Sequence, residues 1–235
     1  MQFLGSIGGG PRRRVFAMAG LVLAAALSVG FARADAEAPA IKILAFGDSL
    51  VHGYGLTAAE TFPVQLEAAL RRLGHPVRVI NAGNSGDTTA AGLARLDWAL
   101  QDAPDAVIVE LGANDGLRGI DPVEIYANLD RILGRLNAGG IAVLLAGMLA
   151  PRNLGADYAG EFDAVYPRLA DEHGVALYPF FLDGVAGNPA LNQDDGIHPN
   201  GAGVAVIVER ITPAVVRLLE ALDGAQARRA EQSDG

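Results

Sequence analysis

Ile41-Lys42-Ile43-Leu44-Ala45-Phe46-Gly47-Asp48-Ser49-Leu50 is the stretch that decides how the chain is read. An apolar, partly β-branched run bounded by glycine is a buried strand. Gly47 lets the chain turn sharply and leaves Ser49 at the strand's carboxyl end. In an open α/β sheet that end is where ligands and chemistry sit. Alone, such a serine is far more often a turn or capping residue than a nucleophile. Its meaning rests on whether other strand ends supply a base, an acid and donors for an oxyanion.

Downstream, strands and helices alternate strictly. Phe62, Leu66, Ala69, Leu70 and Leu73 predict an amphipathic helix over Thr57–Leu73, stopped by Gly74 and Pro76. Val77–Ile80 is a second strand that opens into Asn81–Thr88, and Leu93, Leu96 and Leu100 mark the next helix. Ala106–Val109 is a third strand, leading into Gly112-Ala113-Asn114-Asp115-Gly116. Asp121-Pro122 starts a helix, with an acidic cap and proline in its first turn, and Gly139-Gly140 stops it. Ile141–Leu145 is a fourth strand, and a helix around Phe162–Glu172 precedes a fifth, Val175–Tyr178. A closing helix carries Ile207, Ile211, Val215, Leu218 and Leu222, with Pro213 expected to kink or divide it. This order predicts a three-layer α/β/α sandwich around a five-stranded parallel sheet.

The N-terminus is different in kind. Arg12-Arg13-Arg14 precede an uncharged apolar run, Val15–Phe31, and then Ala32-Arg33-Ala34. A basic segment, an apolar run and an A-x-A site read as a secretory signal over residues 1–34. The run falls short of the roughly 18 residues a spanning helix needs, so no stable membrane anchor is expected after cleavage. Arg13-Arg14-Val15-Phe16 loosely resembles a twin-arginine signal, but Ala17 departs from it. The expectation is an exported chain, with residues 35–223 as the folded domain and 224–235 as a disordered tail. Without the four arginines of residues 1–34, 14 basic residues face 27 acidic ones, a net charge of −13. Such a surface repels nucleic acid and anionic lipid headgroups. With no cysteine, disulfides and lipoprotein attachment are excluded.

The strand ends now supply the missing parts. Ser49 follows the first strand, Gly86 the second and Asn114 the third, while Asp195 and His198 follow the fifth. A nucleophile, a base, an acid and oxyanion donors are what acyl transfer requires. Gly47-Asp48-Ser49-Leu50, Gly86, Gly112-Ala113-Asn114-Asp115 and Asp195-Gly196-Ile197-His198-Pro199 resemble the four blocks of the GDSL/SGNH hydrolases. Ser85-Gly86-Asp87-Thr88, Asn114-Asp115-Gly116-Leu117-Arg118-Gly119 and Gln193–Asn200 narrow the resemblance to the bacterial periplasmic thioesterase I/lysophospholipase/arylesterase subfamily. It covers roughly residues 40 to 222 and implies the flavodoxin-like SGNH hydrolase fold.

The resemblance also implies roles. Ser49 is the nucleophile, His198 the base, and Asp195 the acid that fixes the imidazole tautomer. The backbone N–H groups of Ser49 and Gly86 and the side-chain amide of Asn114 form the oxyanion hole. Gly86 suits close approach because no Cβ stands in the way. The substrates implied are small acyl esters, thioesters or lysophospholipids. Related SGNH proteins are carbohydrate O-acetylesterases, and a non-catalytic acyl- or lipid-binding protein would keep the same fold. For an acyl groove, Leu117, Ile120, Met148, Leu149 and Leu154 are the candidates.

Plainer readings stand beside these. Asp194 and Asp183 rival Asp195 on position alone, and Asp48 is read as bonding loop backbone. His52 is tethered too close to Ser49 to aim at it. His75 and His173 sit where helices end, and Trp98, Tyr178, Phe180 and Phe181 read as packing residues. No metal site is expected, for lack of cysteine and of a histidine pair at ligand spacing. No nucleotide-binding loop follows any strand, so no cofactor is implied, and no obligate protein partner is evident.

Overall fold

The computed structural model describes residues 40–233. The secretory signal read over residues 1–34 lies outside them.

Five parallel strands run β1 (Ile41–Gly47), β2 (Val77–Gly83), β3 (Ala106–Glu110), β4 (Ala142–Ala146) and β5 (Ala176–Tyr178). Their order across the sheet is β2-β1-β3-β4-β5. The apolar runs predicted as strands are the fully buried ones: Ile43–Phe46 of β1 and Ala106–Val109 of β3 are wholly inaccessible. That is what a parallel sheet covered on both faces demands. Strands β2 and β5, at the edges, are only half buried.

The helices are α1 (Ser49–His52), α2 (Phe62–Arg72), α3 (Thr89–Ala99), α4 (Ala113–Arg118), α5 (Pro122–Ala138), α6 (Ala156–His173) and α7 (Gly201–Ser233). On one face α2 packs with α7, and on the other α5 packs with both α3 and α6. The chain reverses its winding between β1 and β3, and in such sheets the crevice at that reversal is the ligand site. The loops carrying Ser49 and Asn114 follow these two strands.

Several boundaries differ from the sequence reading. The helix expected over Thr57–Leu73 is a 3₁₀ turn, Ala58–Glu60, followed by α2. Thr61 between them is extended (φ −68°, ψ 150°), and Pro63 takes the first turn of α2, where its missing N–H costs nothing. Helices α1 and α4 stand where loops were expected, too short to show an apolar period. The tail expected to be disordered from Gly224 is helical to Ser233. Its alanine, arginine, glutamine and glutamate residues are strong helix formers that extend an already nucleated helix. Nor does Pro213 divide α7. The carbonyl it leaves without an N–H partner belongs to Glu209, on the exposed side of the helix.

Candidate active site

Gly47 pairs in register with Glu110 across the β1–β3 ladder. A Cβ at Gly47 would lie 2.5 Å from Val51 Cγ2 and 2.6 Å from both Glu110 O and Glu110 Oε2. Its φ is not among the positive ones, so the glycine is required for close packing rather than for the turn. The turn is made by Asp48, which caps α1: its Oδ1 accepts from Leu50 N at 2.9 Å. Asp48 thus bonds loop backbone, as its position next to the serine implied. The elbow is braced from outside, because Gly47 O accepts from Asn84 N at 3.0 Å and from Arg95 Nη2 at 2.8 Å.

Ser49, 9% exposed, is the first residue of α1, and its Oγ lies 2.9 Å from His198 Nε2. His198 Nδ1 lies 2.7 Å from Asp195 Oδ2. The other carboxylate oxygen, Oδ1, accepts from the backbone N–H groups of His198 and Ile197, both at 3.0 Å. Those two backbone bonds hold the Asp195 carboxyl down at about 2, with the His198 side chain adding to them. Carboxylate, imidazole and hydroxyl therefore form one line along which the Ser49 proton can pass to His198.

The rivals lie elsewhere. Asp183 pairs with Arg210 at 2.5 Å, and Asp194 is exposed. His52 Nδ1 is 3.3 Å from Gly83 O, and His173, in the last turn of α6, pairs with Asp130.

The loop carrying Asp195 and His198 belongs to the long segment between β5 and α7, so it must be anchored. Asn192, nearly buried, ties it inward by donating to Val185 O and Asn188 O, each at 2.8 Å. Gln193 N donates to His198 O at 2.7 Å, while its side chain donates to Pro199 O at 2.9 Å and Tyr54 O at 2.8 Å. That side chain joins the histidine loop to the turn after α1. Tyr54 in turn lays its ring 4.7 Å from the His198 ring.

Gly86 and Asn114 come to the same edge on coupled loops. Asp115, wholly buried, accepts from Thr89 N at 2.9 Å and Thr89 Oγ1 at 2.7 Å. Arg118 Nη2 donates to Gly86 O at 3.0 Å. Gly86 has φ +88° with open space where a Cβ would go. Its left-handed backbone itself favours glycine. Among the described residues, neither Ser49 N nor Gly86 N has a protein acceptor. Asn114 Nδ2 donates to Asp48 Oδ2 at 3.0 Å.

A cleft of about 610 Å³ opens beside Ser49, Asn114 and His198. Leu117, Met148 and Leu149, three of the five groove candidates, line one wall with Ala150 and Pro151. Ile120 does not reach it: it packs against the core, and its carbonyl accepts from Tyr158 OH at 2.8 Å. Leu154 stays outside too, in a 3₁₀ turn. The opposite wall went unread: Phe180, Leu182, Ala186, Gly187 and Ile197 belong to the segment after β5, which has no periodic pattern. Of the aromatics assigned to packing, Phe181 is buried edge-on against Phe62 at 5.0 Å, but Phe180 lines the cleft and Trp98 is 68% exposed.

Behind the serine lie two buried acids. Asp48 and Glu110 are each wholly inaccessible, and Glu110 Oε2 lies 3.4 Å from Asp48 N. Desolvation raises Asp48 only to about 6, because Leu50, Asn114 and Glu110 bond its charged form. Glu110 is pushed well above the ordinary carboxylate range by burial and by the neighbouring Asp48 charge. The sequence reading passed over Glu110. A glutamate ending an apolar run looks like a strand boundary, and only the register with Gly47 buries it.

With this geometry in place, comparison with known proteins is direct. The GDSL-like Lipase/Acylhydrolase family profile matches residues 45–206. An arylesterase of Vibrio mimicus is 41% identical over 179 residues, 76% of this chain and 90% of the relative. The thioesterase 1/protease 1/lysophospholipase L1 of Escherichia coli K12 is 43% identical over 164 residues, 69% of this chain and 77% of the relative. The crystal structure of TesA superposes with a TM-score of 0.72 at 40% identity, covering 75% of this chain and 99% of that one. That of AlinE4, an SGNH-hydrolase family esterase, superposes at 0.65 with 50% identity, covering 77% and 97%. Block order, fold and relatives agree, and the chain belongs to the GDSL-like lipase/acylhydrolase family of ester hydrolases.

Proposed function

We propose that the protein cleaves carboxylic esters and thioesters through an acyl-enzyme on Ser49. The observation that carries this is the unbroken line Asp195–His198–Ser49 at the mouth of an apolar cleft. His198 takes the Ser49 proton as Oγ attacks the acyl carbonyl, and then gives it to the departing alkoxide or thiolate. Asp195, fully ionised at neutral pH, holds the Nδ1–H tautomer and balances the imidazolium. The oxyanion is met by the unpaired N–H groups of Ser49 and Gly86 and by the Asn114 amide. In the second half, water attacks the acyl-enzyme, with His198 again as base. No step calls for a metal or a cofactor.

The acyl chain lies along Leu117, Met148 and Leu149, with Phe180, Leu182 and Ile197 across from them. This apolar lining favours acyl chains of several carbons over a lone acetyl group, so esters and thioesters of such chains, including lysophospholipids, are the substrate class. Residues 1–34 direct the chain across the inner membrane to the periplasm and are removed, leaving the domain that starts at residue 35 without a membrane anchor.

Hydrolysis of p-nitrophenyl esters and the matching acyl thioesters, from two to twelve carbons, tests the reading. The wild type is expected to turn over both series with its best rate beyond acetate, and Ser49→Ala to fall to background. A Ser49→Ala protein hydrolysing at the wild-type rate would overturn it.

A further inference from the structure

We propose that Glu110 is a positioning residue for the oxyanion hole: it holds Asp48, and Asp48 holds the amide of Asn114. The inference rests on the Ser49 reading above and adds to it a residue that never touches substrate.

The geometry is a relay in three contacts. Glu110 ends β3 directly across from Gly47, and the missing Cβ of that glycine is what admits its carboxyl. Glu110 Oε2 lies 3.4 Å from Asp48 N, while Oε1 is sealed from solvent with no partner among the described residues. Asp48 then divides its two oxygens. Oδ1 takes Leu50 N at 2.9 Å, setting the first turn of α1 and with it Ser49, and Oδ2 takes Asn114 Nδ2 at 3.0 Å. An amide has two N–H bonds. One is spent on Asp48, which fixes the plane of the group and leaves the other for the cleft that Asn114 lines.

Two buried carboxyls in contact cannot both carry charge. Asp48 has three bonds favouring its charged form, and Glu110 has an orphaned oxygen and no cation among its partners. The proton therefore resides on Glu110, whose O–H donates to the Asp48 carboxylate. A neutral acid at this position gives Asp48 a third donor without adding a second negative charge beneath the developing oxyanion. An orphaned acceptor sealed in the core costs stability. A retained buried acid with such a cost is explained if it serves the site.

Glu110→Gln keeps a neutral donor of the same shape, whereas Glu110→Leu keeps volume and removes the donor. Steady-state kinetics on a p-nitrophenyl ester, with melting curves alongside, separate the two. The expected result is Glu110→Gln within about threefold of wild type, and Glu110→Leu folded with kcat lowered about 10- to 100-fold and KM nearly unchanged, a fraction of what a lost oxyanion donor costs. In an Asn114→Ala background, Glu110→Leu should cost little more, because residues acting through one another are not additive. A folded Glu110→Leu with wild-type kcat, or a full additional loss in the Asn114→Ala background, would overturn the inference. If Glu110→Leu does not fold, Glu110→Gln decides: a folded protein with kcat down more than about 30-fold contradicts a neutral donor. Ser49→Ala run in parallel keeps the two readings apart, since an inactive Ser49→Ala beside a fully active Glu110→Leu fails only this inference.

Discussion

Asp195 and Asp48 are the same residue type a few ångströms from the same reaction, and their surroundings drive them in opposite directions. Asp195 stands on an exposed loop, where two backbone N–H groups and His198 hold its carboxyl at about 2. Asp48 is sealed behind the nucleophile, and burial carries it up to about 6 despite its three hydrogen bonds. Its neighbour Glu110, with fewer bonds and a charge beside it, is pushed well above the ordinary carboxylate range. Hydrogen bonds decide an acid's state where water still reaches it, and desolvation decides it where water does not. The site thus keeps an anion behind the histidine, and beneath the serine it favours the neutral form of an acid.

The largest effect that would break this contrast is at Asp195. Asp195→Asn keeps Oδ1 for its two backbone donors, so the loop should hold its shape. The replaced oxygen, however, now presents an N–H to His198 Nδ1 and selects the wrong tautomer. A fall in kcat of about 10⁴ is expected in ester hydrolysis near neutral pH, with melting little changed. A loss below tenfold would mean that Asp195 is not the partner of His198 in turnover. Because Asp195 stays ionised to about 2, the acid limb of the wild-type pH profile should not report its protonation.

A smaller effect sharpens the other half. A carboxyl whose folded value lies above its unfolded one favours the folded state only while protonated. The wild type should therefore lose stability as pH rises past the ordinary glutamate value of ~4.3, until the raised value of Glu110 is reached. Glu110→Gln has no proton to lose there. The melting temperature of Glu110→Gln minus that of wild type should grow as pH rises above that ordinary value, by about 3 °C per pH unit while the folded Glu110 keeps its proton. A constant difference across that range would mean that Glu110 is already charged in the folded protein.

What the sequence disclosed and what it hid follow the same division. The strands, and the meeting of the Ser49, Gly86, Asn114 and Asp195–His198 loops at one edge, were legible, because parallel strands must be apolar throughout and their ends must meet at one edge. The Asp195–His198 pair is local, so its spacing carries its geometry. Glu110 was not legible, because its burial depends on a residue more than sixty positions away. The second wall of the cleft was hidden for a related reason: Phe180, Leu182 and Ile197 sit on a segment held by Asn192 and Gln193 rather than by periodic packing. Helix α4 reads as a glycine-flanked turn, and its six residues are too few to show a period.

Covalent trapping of the nucleophile tests the central claim most directly. The wild-type protein is treated with a fluorophosphonate, digested, and the adduct located by mass spectrometry as residual esterase activity is followed. One adduct per chain, on Ser49, forming in step with the loss of activity and absent from His198→Ala under the same exposure, is the predicted result. Full inactivation with the adduct on any other residue, or an unlabelled Ser49 in an active enzyme, would contradict it.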